Sequence, residues 1–386
     1  MRITHLISAL IIAAITTACS KPTIVEVTIE NNLNFPRTHE LVELPLTELS
    51  KKIKWDSKVG LIVLNDKGKE VTSQITTEGL LVFESQLKAN STQIFTIKEG
   101  TTSNYPPLVE CKYRPERKQD FSWENNRVGF RFYGQELQKQ DGPSNGLDLF
   151  YKRTDQLILD KWYKNDIAQI ASYHVDHGEG CDPYAVGRTL GAGAAALYHN
   201  GKAILNSNYV NYEIIDNGPL RATFILTYPD LHINNKQITE RKRITLDAHS
   251  QLTKIEQMYG VDETATVTVG LVKRLNQKDS TLLSEDRQTL FYQEPTDPTN
   301  ETIFLSLTFP TAIDSIKVDK YSLPGNKRVL ANTLAFTTIQ PNQSLSYYTG
   351  FGWTKYGFKT LEEYQRYIAK FTEAQNNPFI IKYKTK

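Results

Sequence analysis

Most of the reactive groups in this sequence fall in one segment, Ser172-Tyr-His-Val-Asp-His-Gly-Glu-Gly-Cys-Asp-Pro-Tyr-Ala-Val-Gly-Arg188. His174, Asp176, His177, Glu179, Asp182 and Arg188 are ionisable, and Tyr173 and Tyr184 add phenols. Imidazole titrates near neutral pH and both gives and takes protons, and a neighbouring carboxylate can fix its tautomer. Arg188 offers a forked cation matched to a sugar carboxylate. One reading is a proton-transfer site with His174 or His177 as base, Tyr184 or Tyr173 as acid, and Arg188 as the cation. Another makes His174, Asp176 and His177, with Glu179 or Asp182, ligands of a divalent ion; imidazole with carboxylate suits zinc or manganese, whereas an all-oxygen set suits calcium. The spacing matches neither the helical His-Glu-x-x-His pattern nor a calcium loop. The bland alternative is a turn built by Asp and Gly. Charged groups crowded between glycines cost stability unless they have partners or a task. No organic cofactor is expected.

Positioning these groups falls to neighbouring strands and turns. Residues 166–171 read as a strand; continued, it would put His174 and Asp176 on one face, with Gly178 and Gly180 turning the chain so that His177, Glu179 and Asp182 approach the same cleft. Upstream, Trp123, Glu124, Asn125 and Arg127 stand just before the strand 128–133. Downstream, Tyr347 and Trp353 lie among glycines, as rings stacking on sugars would. Trp123, Arg127, Tyr347 and Trp353 are therefore candidate substrate-binding residues. His199, His232 and His249 fall in turns and polar loops and are set aside.

Short alternating runs at 23–30, 40–46, 59–64, 79–83 and 93–97 read as strands, with Asn65-Asp-Lys-Gly68 as a hairpin turn. They form a small sandwich that ends at Ser103-Asn-Tyr-Pro-Pro107, because paired prolines cannot continue a central strand. Beyond it, strands are longer and aromatic-rich, at 209–215, 220–228, 242–246, 252–259 and 344–348. Thr360-Leu-Glu-Glu363 is a capping box opening a helix to about residue 373. Many strands without alternating helices make the chain all-β.

The N-terminus carries Arg2, an apolar run over residues 6–15 and Thr16-Thr-Ala-Cys19, the layout of a signal peptide ending in a bacterial lipobox. The expected product is a lipid-anchored protein of the periplasm or outer membrane of a Gram-negative bacterium, acylated at Cys19. The remaining cysteines, Cys111 and Cys181, are candidates for a disulfide in an oxidising compartment. Over 386 residues, 45 Lys and Arg face 43 Asp and Glu, a formal charge of +2. That balance lacks the positive field that carries nucleic-acid affinity, so nucleic acid is excluded as a partner. The mature chain is expected to be a monomer.

The run His174-x-Asp-His-Gly-Glu-Gly-x-Asp-x-Tyr-x-Val-Gly187, with Trp-Glu-Asn-x-Arg-Val-x-Phe-Arg at 123–131, resembles a family of exported proteins filed as a domain of unknown function in polysaccharide-utilisation systems. The resemblance covers most of the chain after the signal. Some related members are dehydratases of ulvan oligosaccharides, removing water from a non-reducing-end uronate to leave a 4,5-unsaturated sugar. From residue 108 the layout is also similar to the galactose-mutarotase-like super-sandwich. The fold expected is a small N-terminal β-sandwich followed by a large antiparallel super-β-sandwich with a short C-terminal helix. Its parts are a signal at 1–18, a lipidated tether at 19–22, the small sandwich at 23–105 and the catalytic domain at 106–386. The resemblance implies β-elimination on a uronate-containing oligosaccharide. A polysaccharide lyase, a glycoside hydrolase and a non-catalytic glycan-binding lipoprotein remain alternatives.

Overall fold

The structure, a computed structural model, describes residues 24–323 and 329–385. The signal segment, Cys19 and the tether lie outside the described residues. The chain is all-β, two sandwiches with a few helices. Among the described residues no helix is long and apolar enough to cross a membrane.

The first sandwich follows from period-two burial. Along Ile24–Asn31, Val25, Val27 and Ile29 point inward while the residues between them face out. This strand lies in a five-stranded sheet ordered Ile380–Thr385, Ile24–Asn31, Ser91–Glu99, Leu61–Leu64, Glu70–Val71. Against it stands a three-stranded sheet, Arg37–Pro45, Leu80–Leu87 and Ser73–Ile75. Val42, Leu44, Leu81, Phe83, Phe95 and Ile97 fill the space between them. A boundary near residue 105 assigns the whole C-terminus to the larger unit, but Ile380–Thr385 pairs antiparallel with Ile24–Asn31. The chain end thus completes the first sandwich.

The larger unit sets an eight-stranded sheet, from Asn211–Asn217 to Ser280–Leu283, against two five-stranded sheets. One runs from Lys202–Ile204 to Ser315–Ser322; the other is Gly180–Cys181, Asp148–Lys152, Gly129–Phe132, Asp120–Asn125 and Val109–Arg114. Gly193 marks how closely the layers approach: with φ of +127°, a Cβ there would lie 2.5 Å from Thr349 Oγ1. The helix Leu361–Asn376 starts at Thr360 as expected, with the returning Glu bond made one residue earlier than in an ideal capping box. Thr360 accepts from the Glu363 amide, and the Glu363 carboxylate accepts from the Lys359 amide.

Two expectations fail here. Residues 166–171 are not a strand: the helix Leu159–Ile167 takes in the first two and a turn the rest, because Leu159, Trp162 and Tyr163 recur at helical spacing and bury against Phe150 and Tyr173. Cys111 and Cys181 are both free and buried, Cys111 Sγ near Asp216 O and Cys181 Sγ near Asn300 Oδ1, so no disulfide joins them.

Candidate functional site

In the strand Gly129–Phe132, Phe130 and Phe132 enter the main core, so Arg131 projects from the opposite face of its sheet. That face is covered by the helix Leu159–Ile167 and the loop after it, which leaves the guanidinium buried. Its Nε donates to Asp148 Oδ2 at 3.1 Å and Nη2 donates to Asp182 Oδ2 at 2.9 Å, with Asp120 Oδ2 3.6 Å from Nη1. The phenol of Tyr133 donates to Asp148 at 2.6 Å. Burial beside the Asp148 charge pushes the Asp182 carboxyl up to about 8, and burial raises Asp120 to about 6. Asp182 is therefore largely protonated at neutral pH.

The loop over this cluster closes on itself. The Asp182 amide donates to Tyr173 O at 2.8 Å, and His174 Nδ1 lies 2.7 Å from Asp182 O. A carbonyl can only accept, so Nδ1 carries a proton, and in the neutral ring Nε2 is the basic nitrogen. The ring is on the surface, its side chain 55% exposed, with Nδ1 3.7 Å from Asp182 Oδ2. Beside it, Tyr173 Oη accepts from Arg117 Nε at 2.8 Å and from Arg131 Nη1 at 3.5 Å.

The remaining acids of the motif are committed to holding the loop. Asp176 Oδ1 accepts from the amides of Gly178 and Gly180 at 2.9 and 3.1 Å, while Oδ2 meets Arg153 and Lys355 at 3.2 and 3.7 Å. Gly180 has a φ of +110° and packs so closely that a Cβ would stand 1.9 Å from Tyr151 O. Glu179 pairs with Lys161 at 2.8 Å, and His177 Nε2 lies 3.2 Å from Ser172 O. His174, Asp176, His177, Glu179 and Asp182 thus do not converge on one point. Among the described residues, the group whose ligand atoms do converge is His39, Glu84 and His249.

Other expected site residues lie elsewhere. Tyr184 is buried with no partner for its hydroxyl, under the Arg274 guanidinium, which pairs with Glu294. Arg188 stands against Gly142, its backbone carbonyl accepting from Tyr321. Trp123, Tyr347 and Trp353 are core residues: their polar atoms donate to Thr253 Oγ1, Gly193 O and Asn300 O, and none offers a face to a sugar. Glu124 accepts from the amides of Ile158 and Leu159, capping the helix they open, and pairs with buried Lys152. Arg127 is exposed in the turn before Gly129–Phe132 and lies within electrostatic reach of His39. The sequence reading gave no role to Arg117 and Asp120; Tyr133 and Asp148 stood only in flanking segments, and Arg131 only at the end of the 123–131 run, where the alternation Phe130-Arg131-Phe132 equally describes a strand facing water.

These features define a two-sandwich protein with a charged cluster on the covered outer face of one sheet and an oriented histidine above it. The chain belongs to the family described as a domain of unknown function, DUF4861, which matches residues 29–381. It is 29% identical over 397 residues to an uncharacterized protein, P7, of Formosa agariphila, covering 97% of this chain and 98% of that one. Its fold is similar to that of a protein in the glycosyl hydrolase family 38 from Enterococcus faecalis, at a TM-score of 0.50 and 10% identity, over 95% of this chain and 49% of that one. An alpha-mannosidase from the same species aligns with a TM-score of 0.46 and 11% identity, over 94% of this chain and 46% of that one. The chain spans about half the length of the solved structures it matches.

Proposed function

We propose that this protein is a carbohydrate-active lyase that performs β-elimination on a uronic-acid-terminated oligosaccharide, removing water to leave a 4,5-unsaturated sugar. The observation that carries this reading is His174, whose Nδ1–H is held by Asp182 O, leaving Nε2 as the ring nitrogen available to a substrate, with the Tyr173 ring 4.5 Å from its own. Removing the C5 proton of a uronate needs a base, a cation on the adjacent carboxylate and an acid for the departing oxygen. His174 Nε2 takes the C5 proton. The electron pair of that bond becomes the C4–C5 double bond as the C4–O bond breaks. Arg117, partly exposed, binds the carboxylate. Tyr173 is buried, but its ring lies 4.5 Å from that of His174 and its Oη accepts from two arginines, so its own proton is unshared and is assigned to the leaving hydroxyl, which departs as water. Proton exchange with solvent resets both groups. This assignment moves the cation from Arg188 to Arg117 and takes Tyr173, of the two candidate phenols, as the acid.

The glycosyl hydrolase named among the fold relatives makes hydrolysis the rival reaction. Hydrolysis needs two carboxyl groups flanking one glycosidic bond. Asp148 and Asp182 instead share one buried guanidinium, so the pair does not frame a bond. Anchorage through Cys19 in an outer or periplasmic membrane fits a protein working on imported glycan fragments. The test is incubation with uronate-terminated oligosaccharides followed by mass spectrometry and ultraviolet absorbance. Loss of one water with a new conjugated absorbance supports dehydration. Cleavage with that absorbance makes the protein a polysaccharide lyase, cleavage without it a hydrolase, and binding without turnover overturns the enzymatic reading.

A further inference from the structure

A second cluster lies where the two sandwiches meet. His39 belongs to Arg37–Pro45, Glu84 to Leu80–Leu87, and His249 to the turn between Lys236–Asp247 and Leu252–Tyr259. Their ligand atoms all lie within 4.8 Å of one another. The two imidazole rings are 4.4 Å apart between centroids, and His249 Nε2 is 2.6 Å from Glu84 Oε1. Each histidine is aimed by an unusual backbone. His39 has a φ of 61° in a break of strand register between Thr38 and Leu41, and His249 has a φ of 66°. Both line a cavity of about 860 Å³ between the sandwiches.

We infer that His39, Glu84 and His249 form a divalent-cation site of the zinc class that bridges the two sandwiches. Two imidazoles and one carboxylate are the ligand set of an open zinc site, with a fourth position left to water or an anionic ligand. Two imidazoles binding one tetrahedral ion at about 2.1 Å hold their centroids roughly 5 Å apart, so the rings, 4.4 Å apart here, need to separate by under about 1 Å to take up the ion. Arg127 nearby opposes a bare cation and favours an anion, such as a carboxylate, in the fourth position.

Without metal the cluster is held by a proton. Asn126 Oδ1 accepts from the His249 amide at 2.8 Å, which turns Asn126 Nδ2 toward His249 Nδ1 at 2.9 Å. Nδ1 therefore accepts, and Nε2 carries the proton that it donates to Glu84. A metal at Nε2 replaces that proton and moves the imidazole hydrogen to Nδ1, losing the Asn126 contact. Asn126→Asp supplies an acceptor there while still accepting from the His249 amide.

The experiment is zinc titration by calorimetry of the whole protein after chelation, with cobalt substitution read by visible spectroscopy. One equivalent bound, with tetrahedral cobalt bands, supports the site. His39→Asn suits the left-handed backbone at an exposed position. It should weaken binding by more than the roughly 10–100-fold typical of outer-sphere losses. Asn126→Asp should tighten binding by about tenfold, whereas His174→Ala should leave it unchanged. No stoichiometric zinc, or zinc retained in His39→Asn and lost in His174→Ala, overturns the proposal. Because the readout is metal binding, failure here leaves the dehydratase test untouched.

Discussion

His174 Nδ1 donates to the carbonyl oxygen of Asp182 across 2.7 Å, so one backbone oxygen fixes the tautomer of the only histidine assigned to proton abstraction. Removing the imidazole should lower turnover of a uronate substrate by about 10²–10⁴-fold with little change in KM. His174→Gln, tested by the rate of unsaturated product, checks this. Unchanged turnover would move the base elsewhere.

Arg131 is the keystone of the buried cluster, contacting Asp148 and Asp182 with Asp120 nearby. Replacing it with Met leaves the buried Asp148 carboxylate without its counter-charge. Breaking such a pair from one side costs about 3–5 kcal/mol. Denaturant unfolding should show that loss, and Lys112→Ala, whose partner Asp160 is exposed, should cost under about 1 kcal/mol.

The raised carboxyls set a pH dependence. Asp182 at about 8 and Asp120 at about 6 hold protons in the folded state that the unfolded chain, near 3.9, releases. Their stabilising contribution is complete below about pH 4 and is lost as pH rises through about 6 to 8. Melting temperature should therefore carry a falling component between about pH 5 and 8. Asp182→Asn should flatten it, and an unchanged slope would refute the assignment.

Trp353 tests core against platform. Its ring is 1% exposed and its indole N–H donates to Asn300 O at 2.6 Å. Trp353→Ala should cost about 3–5 kcal/mol of stability. A folded, equally stable variant with weakened glycan binding would restore the platform reading.

Both thiols are pushed up to about 12 by burial, so neither is a reactive thiolate. A folded sample should resist alkylation at Cys111 and Cys181, and reductant should not shift its melting temperature. A reductant-sensitive melt would show a bridge after all.

Period-two alternation made many strands legible, because burying one face of a sheet imposes it residue by residue; Ile24–Asn31 and Leu252–Tyr259 are plain in the sequence. The capping box at Thr360 was equally local. Residues 166–171 were misread because a short helix ending and a short strand differ little in composition. The density of charge at 172–188 marked a candidate segment, yet which cations its acids meet was hidden. Asp176 and Glu179 find their cations in Arg153, Lys355 and Lys161, which sequence spacing does not connect to them.

By itself the sequence determined the all-β class and the small-then-large order of sandwiches, and it marked one charge-dense candidate segment, since all three depend on local pattern. Only the tertiary structure decided which face of each strand is covered. That choice buried Arg131 with Asp148 and Asp182, put Trp123, Tyr347 and Trp353 in the core, and returned the last strand to the first sandwich. It also brought His39 and Glu84 against His249, 165 residues beyond Glu84. The physical reason is that alternation records two faces of a strand, whereas the layer packed on each face comes from chain far away in sequence.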